Sequence, residues 1–216
     1  MSLPRPSLAS LRVEYGRAWL AEGDLHSDPL LQYEQWLHEA VHAPVEDANA
    51  VTLATVSSDG QPHARTVLVK AIEARGVQFF TNQNSHKGQE LAAHPQAALL
   101  SFWPALQRQV RLEGWVEPLT SAENDAYFAE RPRLSQIGAW ASPQSQPIAD
   151  RQWLEQQFSL LLAQFGEDPV PRPTHWGGYV LKPQRIEFWQ GRPSRLHDRL
   201  VFQRVGDQWQ VQRLAP

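Results

Sequence analysis

Residues 50–81, AVTLATVSSDGQPHARTVLVKAIEARGVQFFT, decide the fold class. Runs rich in β-branched residues, Ala50 to Val56, His63 to Ile72 and Val77 to Thr81, are divided by the turn formers Ser58-Asp59-Gly60 and Arg75-Gly76. Turns this short between such runs predict an antiparallel meander.

Outward from the meander, helix signals appear on both sides. Asp28 and Pro29 open an apolar spacing through Leu30, Tyr33, Leu37, Ala40 and Val41, which predicts a helix over 28–42. Ser85 opens a short helix to about Ala93, closed by Pro95. Strands follow at Ala97 to Trp103 and Gln107 to Glu117. Thr120 and Glu123 have capping-box spacing ahead of a helix to about Glu130, and Asp150 to Phe165 forms a longer helix stopped by Gly166. Arg131 to Gln146 lacks periodicity and is expected as a loop. Strands return at Gly178 to Leu181, Arg185 to Gln190, Leu200 to Val205 and Trp209 to Leu214. Strands separated by turns, with the helices grouped between them, predict a mainly β chain with helices (α+β), an antiparallel barrel in one domain over 1–216.

The composition narrows the function classes. With 42% hydrophobic and 20% charged residues the chain is an ordinary globular one, and no apolar run approaches the length of a membrane helix. There is no cysteine, hence no disulfide framework and no thiolate chemistry. The N-terminus lacks an apolar signal region, so a cytoplasmic location is expected. A net charge of -3 argues against a broad nucleic-acid or membrane patch, so any anion site must be local. Among the 20 basic residues only Lys70, Lys87 and Lys182 are lysines. That excess of guanidinium suits phosphate, and genomic codon bias explains it equally well.

Four stretches carry candidate chemistry. Arg185, Arg192, Arg195, His197 and Arg199 cluster near Trp189, opposed by only Glu187 and Asp198. Such a run suits a planar anionic ligand, and equally makes a solvated edge beside a turn. Arg65 and Lys70 bracket Thr66-Val67-Leu68-Val69; alternation sends them to opposite faces, so one ligand meets both only if the strand twists, bulges or ends near Lys70. The segment from Thr81 to Lys87 offers backbone amides, hydroxyls and an ammonium, as a phosphate cradle or as an ordinary helix start. Tyr127, Arg131 and Ser135, spaced by four, present hydroxyl and guanidinium together or simply pack a ring on an Arg stem. No H-E-x-x-H, P-loop, dinucleotide-type glycine loop or G-x-S-x-G is present, and no metal site is expected.

In order along the chain, LRVEY, ATVSSDGQPHARTVLVK, FFTNQNSHKGQEL, QRQVRLEGWVE, YFAERPRLSQIGAWASPQS, HWGGY, IEFWQGRPSRLHDR and RLAP resemble the pyridoxamine/pyridoxine 5'-phosphate oxidase family from Leu11 to Pro216. The resemblance implies an FMN-binding split β-barrel of antiparallel Greek-key type, a homodimer with FMN at the subunit interface, and oxidation of pyridoxamine or pyridoxine 5'-phosphate by O2. It implies flavin contacts from Arg65, Thr66, Val67, Leu68, Val69, Lys70, Phe80, Thr81, His86, Lys87, Gln109, Gln144, Ser145, Trp189 and Arg199. It implies substrate contacts from Lys70, Tyr127, Arg131 and Ser135 around the phosphate, from Arg195, Leu196 and His197, and from a segment Arg12 to Tyr15 that closes over the substrate. Arg195 and His197, alternating along a strand-like stretch, would share a face and orient the pyridine ring. Two positions depart from the family pattern: His86 stands where Arg or Lys is usual, and Phe80 where Tyr is frequent. A related flavin oxidase of a phenazine-type substrate, and a non-catalytic flavin or pyridoxal phosphate carrier, are the competing readings; a nucleic-acid-binding barrel conflicts with the acidic balance.

Overall fold

The computed structural model describes residues 14–16 and 18–216. Among the described residues nine strands and five α-helices follow one another as α1 (Pro29–Val41), β1 (Ala50–Val56), β2 (Pro62–Leu68), β3 (Ala71–Glu73), β4 (Gly76–Asn82), α2 (His86–Ala93), β5 (Gln96–Trp103), β6 (Arg108–Pro118), α3 (Ser121–Glu130), α4 (Arg133–Ala141), α5 (Arg151–Phe165), β7 (Trp176–Gln190), β8 (Asp198–Val205) and β9 (Gln208–Arg213). No helix among the described residues is long and apolar enough to cross a membrane. Backbone contacts divide the chain into two compact units. The smaller holds the described residues through Ala48 with Phe102–Val110 and Ile186–Pro216; the larger holds Asn49–Ser101 and Arg111–Arg185.

In the larger unit the strand order is β2-β1-β5-β6-β7-β4-β3. β1 pairs antiparallel with β2 and β5, and β4 antiparallel with β3 and β7. The spatial order β5-β6-β7-β4 is that of a Greek key, as expected for an antiparallel barrel of this class. Strand alternation turns Val51, Leu53 and Thr55 of β1 inward, where they meet a core that includes Val77, Phe79, Leu99 and Leu112. The predicted caps are present: Ser85 accepts from Gly88 N, Thr120 and Glu123 form a reciprocal box, and Asp150 accepts from Trp153 N.

The smaller unit packs α1 on aromatic residues. Trp36 meets Phe188 edge-on at 5.2 Å, Phe188 meets Phe202 at 5.8 Å, and Trp103 donates its indole N–H to Ala48 O at 2.8 Å. The buried face of α1 carries Leu30, Tyr33, Trp36 and Ala40, while Val41, expected to face inward, is exposed at the helix end. β8 pairs antiparallel with β9.

Four expectations change. The strand predicted over 63–72 is two strands, because Val69 N donates to Asn49 O, Asn49 Nδ2 donates to Val69 O, and Lys70 N turns to Gln78 O instead. The segment 131–146 is not all loop: α4 starts after Pro132 and buries Gln136, Ile137 and Ala141. The strands predicted at 178–181 and 185–190 are one, β7. Gly114 of β6 passes so close to it that a Cβ would sit 2.1 Å from Lys182 O and 2.7 Å from Pro183 Cα. Finally, Arg195 and His197 do not alternate along a strand. Pro193–Arg195 is a 3-10 turn in which Ser194 and Arg195 have φ of 56° and 64°, and β8 begins only at Asp198.

Candidate active site

A cavity of about 730 Å³ lies in the larger unit. The end of β2 supplies Thr66, Val67 and Leu68 to its wall, β4 supplies Phe80 and Thr81, and α3 supplies Tyr127. Arg131 follows α3 with φ −69° and ψ 145°, the extended conformation imposed by the next residue, Pro132; Ser135 then enters from α4. Lys70 reaches the same wall because the chain leaves β2 before it, whereas Arg65, at the other end of the run, is not on that wall.

The cavity wall carries three cations, Lys70, Lys87 and Arg131, and one carboxylate, Glu130. Lys87 Nζ donates to Thr81 Oγ1 at 3.2 Å, Ser85 Oγ at 3.4 Å and Gln144 Oε1 at 3.1 Å, all neutral acceptors. Thr81 also donates to Gln144 at 3.0 Å. Burial, and then the nearby Arg65 charge, push the Lys87 ammonium below its ordinary range, with Glu90 opposing. Burial likewise lowers Arg131, whose Nη1 is buried without a hydrogen-bond partner. Among the described residues no carboxylate is ion-paired with Lys70, Lys87 or Arg131.

One wall is aromatic. Phe80 stacks on Tyr127 at 3.9 Å and 20°, and on Trp176 at 5.4 Å and 13°. Gly178 faces Phe80 across the β4–β7 pairing, and a Cβ there would lie 2.6 Å from the Phe80 ring. The Arg131 guanidinium sits 4.4 Å above the Trp176 ring.

Some expected residues of this unit lie off the cavity wall. Arg65 is engaged elsewhere: it donates to Glu90 Oε2 at 3.0 Å, to Leu53 O at 3.2 Å and to Thr55 Oγ1. Val69 is buried, His86 is exposed at the first position of α2, and Ser145 is exposed with φ 70°.

A second cluster lies in the smaller unit. Tyr15 meets Trp189 edge-on at 5.7 Å and His197 at 5.8 Å, while the Trp189 and His197 rings are 4.6 Å apart. Its N-terminal residues are fastened by Gly16 N to Gln107 Oε1, by Leu20 N to Asp198 Oδ2, and by a two-pronged Arg213–Glu22 pair. The His197 ring accepts Arg192 N–H at Nδ1. Arg199 grips the buried Glu187 with two bonds of 2.9 and 3.1 Å and donates to Ala215 O. Arg195 and Leu196 are exposed, and Gln109 is half-buried on β6. Arg12 lies outside the described residues.

Three residues escaped the sequence reading. Trp176 floors Arg131, and Glu90 holds Arg65. Buried Asn124 accepts Gly178 N–H at 2.7 Å and donates to Leu119 O, fixing α3 to β7. The only sequence signal for Asn124 is a polar residue on the inner face of α3.

Comparison with known proteins matches two family models, pyridoxamine 5'-phosphate oxidase over residues 37–164 and pyridoxine 5'-phosphate oxidase C-terminal dimerisation region over residues 176–216. Relatives named pyridoxine/pyridoxamine 5'-phosphate oxidase include one from Burkholderia lata, 53% identical over 97% of this chain and 99% of the relative, and one from Synechocystis, 51% identical over 97% and 98%. The crystal structure of PhzG from Burkholderia lata in complex with tetrahydrophenazine-1-carboxylic acid superposes with a TM-score of 0.88 at 34% identity, over 93% of this chain and 99% of that one. A pyridoxamine 5'-phosphate oxidase-related, FMN binding protein from Nostoc punctiforme shares the fold, with a TM-score of 0.71 at 18% identity over 89% of this chain and 100% of that one.

Proposed function

Since the chain belongs to the pyridoxamine 5'-phosphate oxidase family, we propose that it is an FMN-dependent oxidase of pyridoxamine 5'-phosphate and pyridoxine 5'-phosphate. Dioxygen and, for the amine, water are consumed; pyridoxal 5'-phosphate, hydrogen peroxide and, from the amine, ammonia are released. The observation that carries this reading is the cavity in which Lys70, Lys87 and Arg131 stand without carboxylate partners, Arg131 with an orphaned buried N–H. In an acidic chain, three cations gathered around one space against the single carboxylate of Glu130 fit phosphate esters, and each charge-assisted hydrogen bond is worth about 1.5–3 kcal/mol.

In this reading Lys70 and Arg131 neutralise the substrate phosphate while the Tyr127 and Ser135 hydroxyls donate to its oxygens. Lys87, Thr81 and Gln144 hold FMN, with Trp189 and Arg199 as further contacts. FMN, when bound, supplies the ring that takes up hydride and passes electrons to dioxygen. Arg195 and His197 orient the pyridine ring, and Tyr15 covers the same place from the N-terminal side. The working unit is a homodimer with FMN at the subunit interface, in keeping with the family name given to residues 176–216.

The likeness to PhzG supports a second reading, a carboxylated tricyclic substrate. The four residues Lys70, Tyr127, Arg131 and Ser135 on one cavity wall favour the phosphate ester. The test is to purify the protein, record a flavin spectrum, and add pyridoxamine 5'-phosphate in air while following aldehyde and peroxide. Flavin without either product overturns the proposal, and turnover of the tricyclic acid alone selects the second reading.

A further inference from the structure

We propose that Trp176 is the positioning residue for the substrate phosphate, its indole holding the Arg131 guanidinium in the cavity without neutralising it. This rests on the reading of Arg131 as a phosphate ligand.

A guanidinium at a half-buried position ordinarily needs a carboxylate. Arg131 has none; its guanidinium lies 4.4 Å from the Trp176 ring and 5.6 Å from Phe128. An aromatic face attracts a cation through its quadrupole and takes up none of its N–H donors. A carboxylate in the same place would fix the side chain equally well but would compete with the incoming anion for charge and hydrogen bonds. The indole therefore secures position while keeping the donors available, which is consistent with the unpartnered Nη1.

The indole is itself held. Trp176 is 7% exposed and meets Phe128 edge-on at 5.1 Å. Its backbone is fixed by Arg172, which donates to Trp176 O at 2.7 Å, and by its own N–H donating to Pro173 O. Its plane lies within 8° of the Tyr127 ring and 13° of Phe80. Trp176 thus sets the guanidinium and the Tyr127 phenol against one another, two of the groups assigned to one phosphate.

The test uses FMN-loaded wild type, Trp176→Leu, Trp176→Phe and Arg131→Lys. Calorimetric titration with inorganic phosphate is run beside kcat and KM for pyridoxamine 5'-phosphate. Trp176→Leu is expected to weaken phosphate binding and raise KM by about tenfold each, with kcat changed less than about threefold. Trp176→Phe, which keeps a smaller aromatic face, should lie between Trp176→Leu and wild type, about threefold weaker than wild type. Arg131→Lys, which keeps the charge but loses the planar stack, should resemble the Leu variant. Phosphate binding that is equal in wild type and the Trp176 variants, or absent in wild type, overturns the proposal. So does a Phe variant as impaired as Leu. If Trp176→Leu does not fold, the Phe variant decides: weakening of about threefold supports the role and unchanged binding overturns it. Wild type that binds phosphate without oxidising the amine refutes the functional reading, while the calorimetry still settles the role of Trp176.

Discussion

His197 Nδ1 accepts the backbone N–H of Arg192 at 3.0 Å, so the neutral ring carries its proton on Nε2. Burial, and then the Arg195 charge, hold this imidazole below its ordinary range, against the opposing pull of Asp198. A histidine lowered by folding adds stability above its unfolded pKa and loses that contribution as pH falls. Arg195→Gln removes the second cause, so the His197 ring-proton NMR titration should move to higher pH. A midpoint that stays put or falls refutes the assignment.

Arg195 presents its side chain from a left-handed backbone next to a second left-handed residue, Ser194. Such conformations cost energy and persist where surrounding structure holds them. Arg195→Leu should lower kcat by about tenfold to a hundredfold while FMN content stays at wild-type level. Unchanged turnover would remove Arg195 from its assigned role.

Glu90 is buried, which by itself would raise its pKa. The Thr55 hydroxyl at 2.5 Å, the Arg65 charge and His63 at 2.6 Å outweigh that and hold the carboxyl below its ordinary range. Glu90→Gln leaves Arg65 without its counter-charge, and a loss of about 2 kcal/mol is expected at neutral pH because Arg65 is only partly buried. The carboxylate contribution is present above the unfolded pKa and lost as pH falls through the folded value. Urea midpoints of variant and wild type should therefore converge in acid; a constant gap contradicts the role.

Glu123 closes the capping box of α3, the helix that carries Tyr127. Hydrogen bonds from the Thr120 hydroxyl and backbone, and then Arg75, lower its carboxyl to about 2. Its contribution is complete above the ordinary carboxylate range and disappears as pH approaches the folded value. Glu123→Gln should lower the melting temperature near pH 7 and flatten its fall between about pH 5 and 2; identical acid profiles would count against the box.

The meander and four of the five helices were legible because their signals are local: turn dipeptides, N-caps and terminating Gly or Pro. α4 was hidden because it is nine residues long, starts just after Pro132 and buries too few side chains to show a period. The end of β2 depends on Asn49 gripping Val69, a contact that no window around Lys70 contains. In the cavity, Lys70, Tyr127, Arg131 and Ser135 were visible by residue type. Trp176 in HWGGY lies outside the strand expected at 178–181, and nothing near Arg65 signals its pairing, since their partners Arg131 and Glu90 are distant in sequence. Arg195 and His197 were expected on one face by alternation; two consecutive left-handed residues, neither of them glycine, defeated that rule.

The concentration of unneutralised charge around the cavity ties the endurance of the protein to the solution it is kept in. Three cations against one carboxylate leave the wall with a net positive charge, and any anion that binds the folded state alone shifts the unfolding equilibrium by mass action. Phosphate or sulfate in a storage buffer would then act as a surrogate for the esters, protecting the protein while occupying the place its substrate needs. Melting temperatures and Michaelis constants should accordingly trade against each other from one buffer to the next.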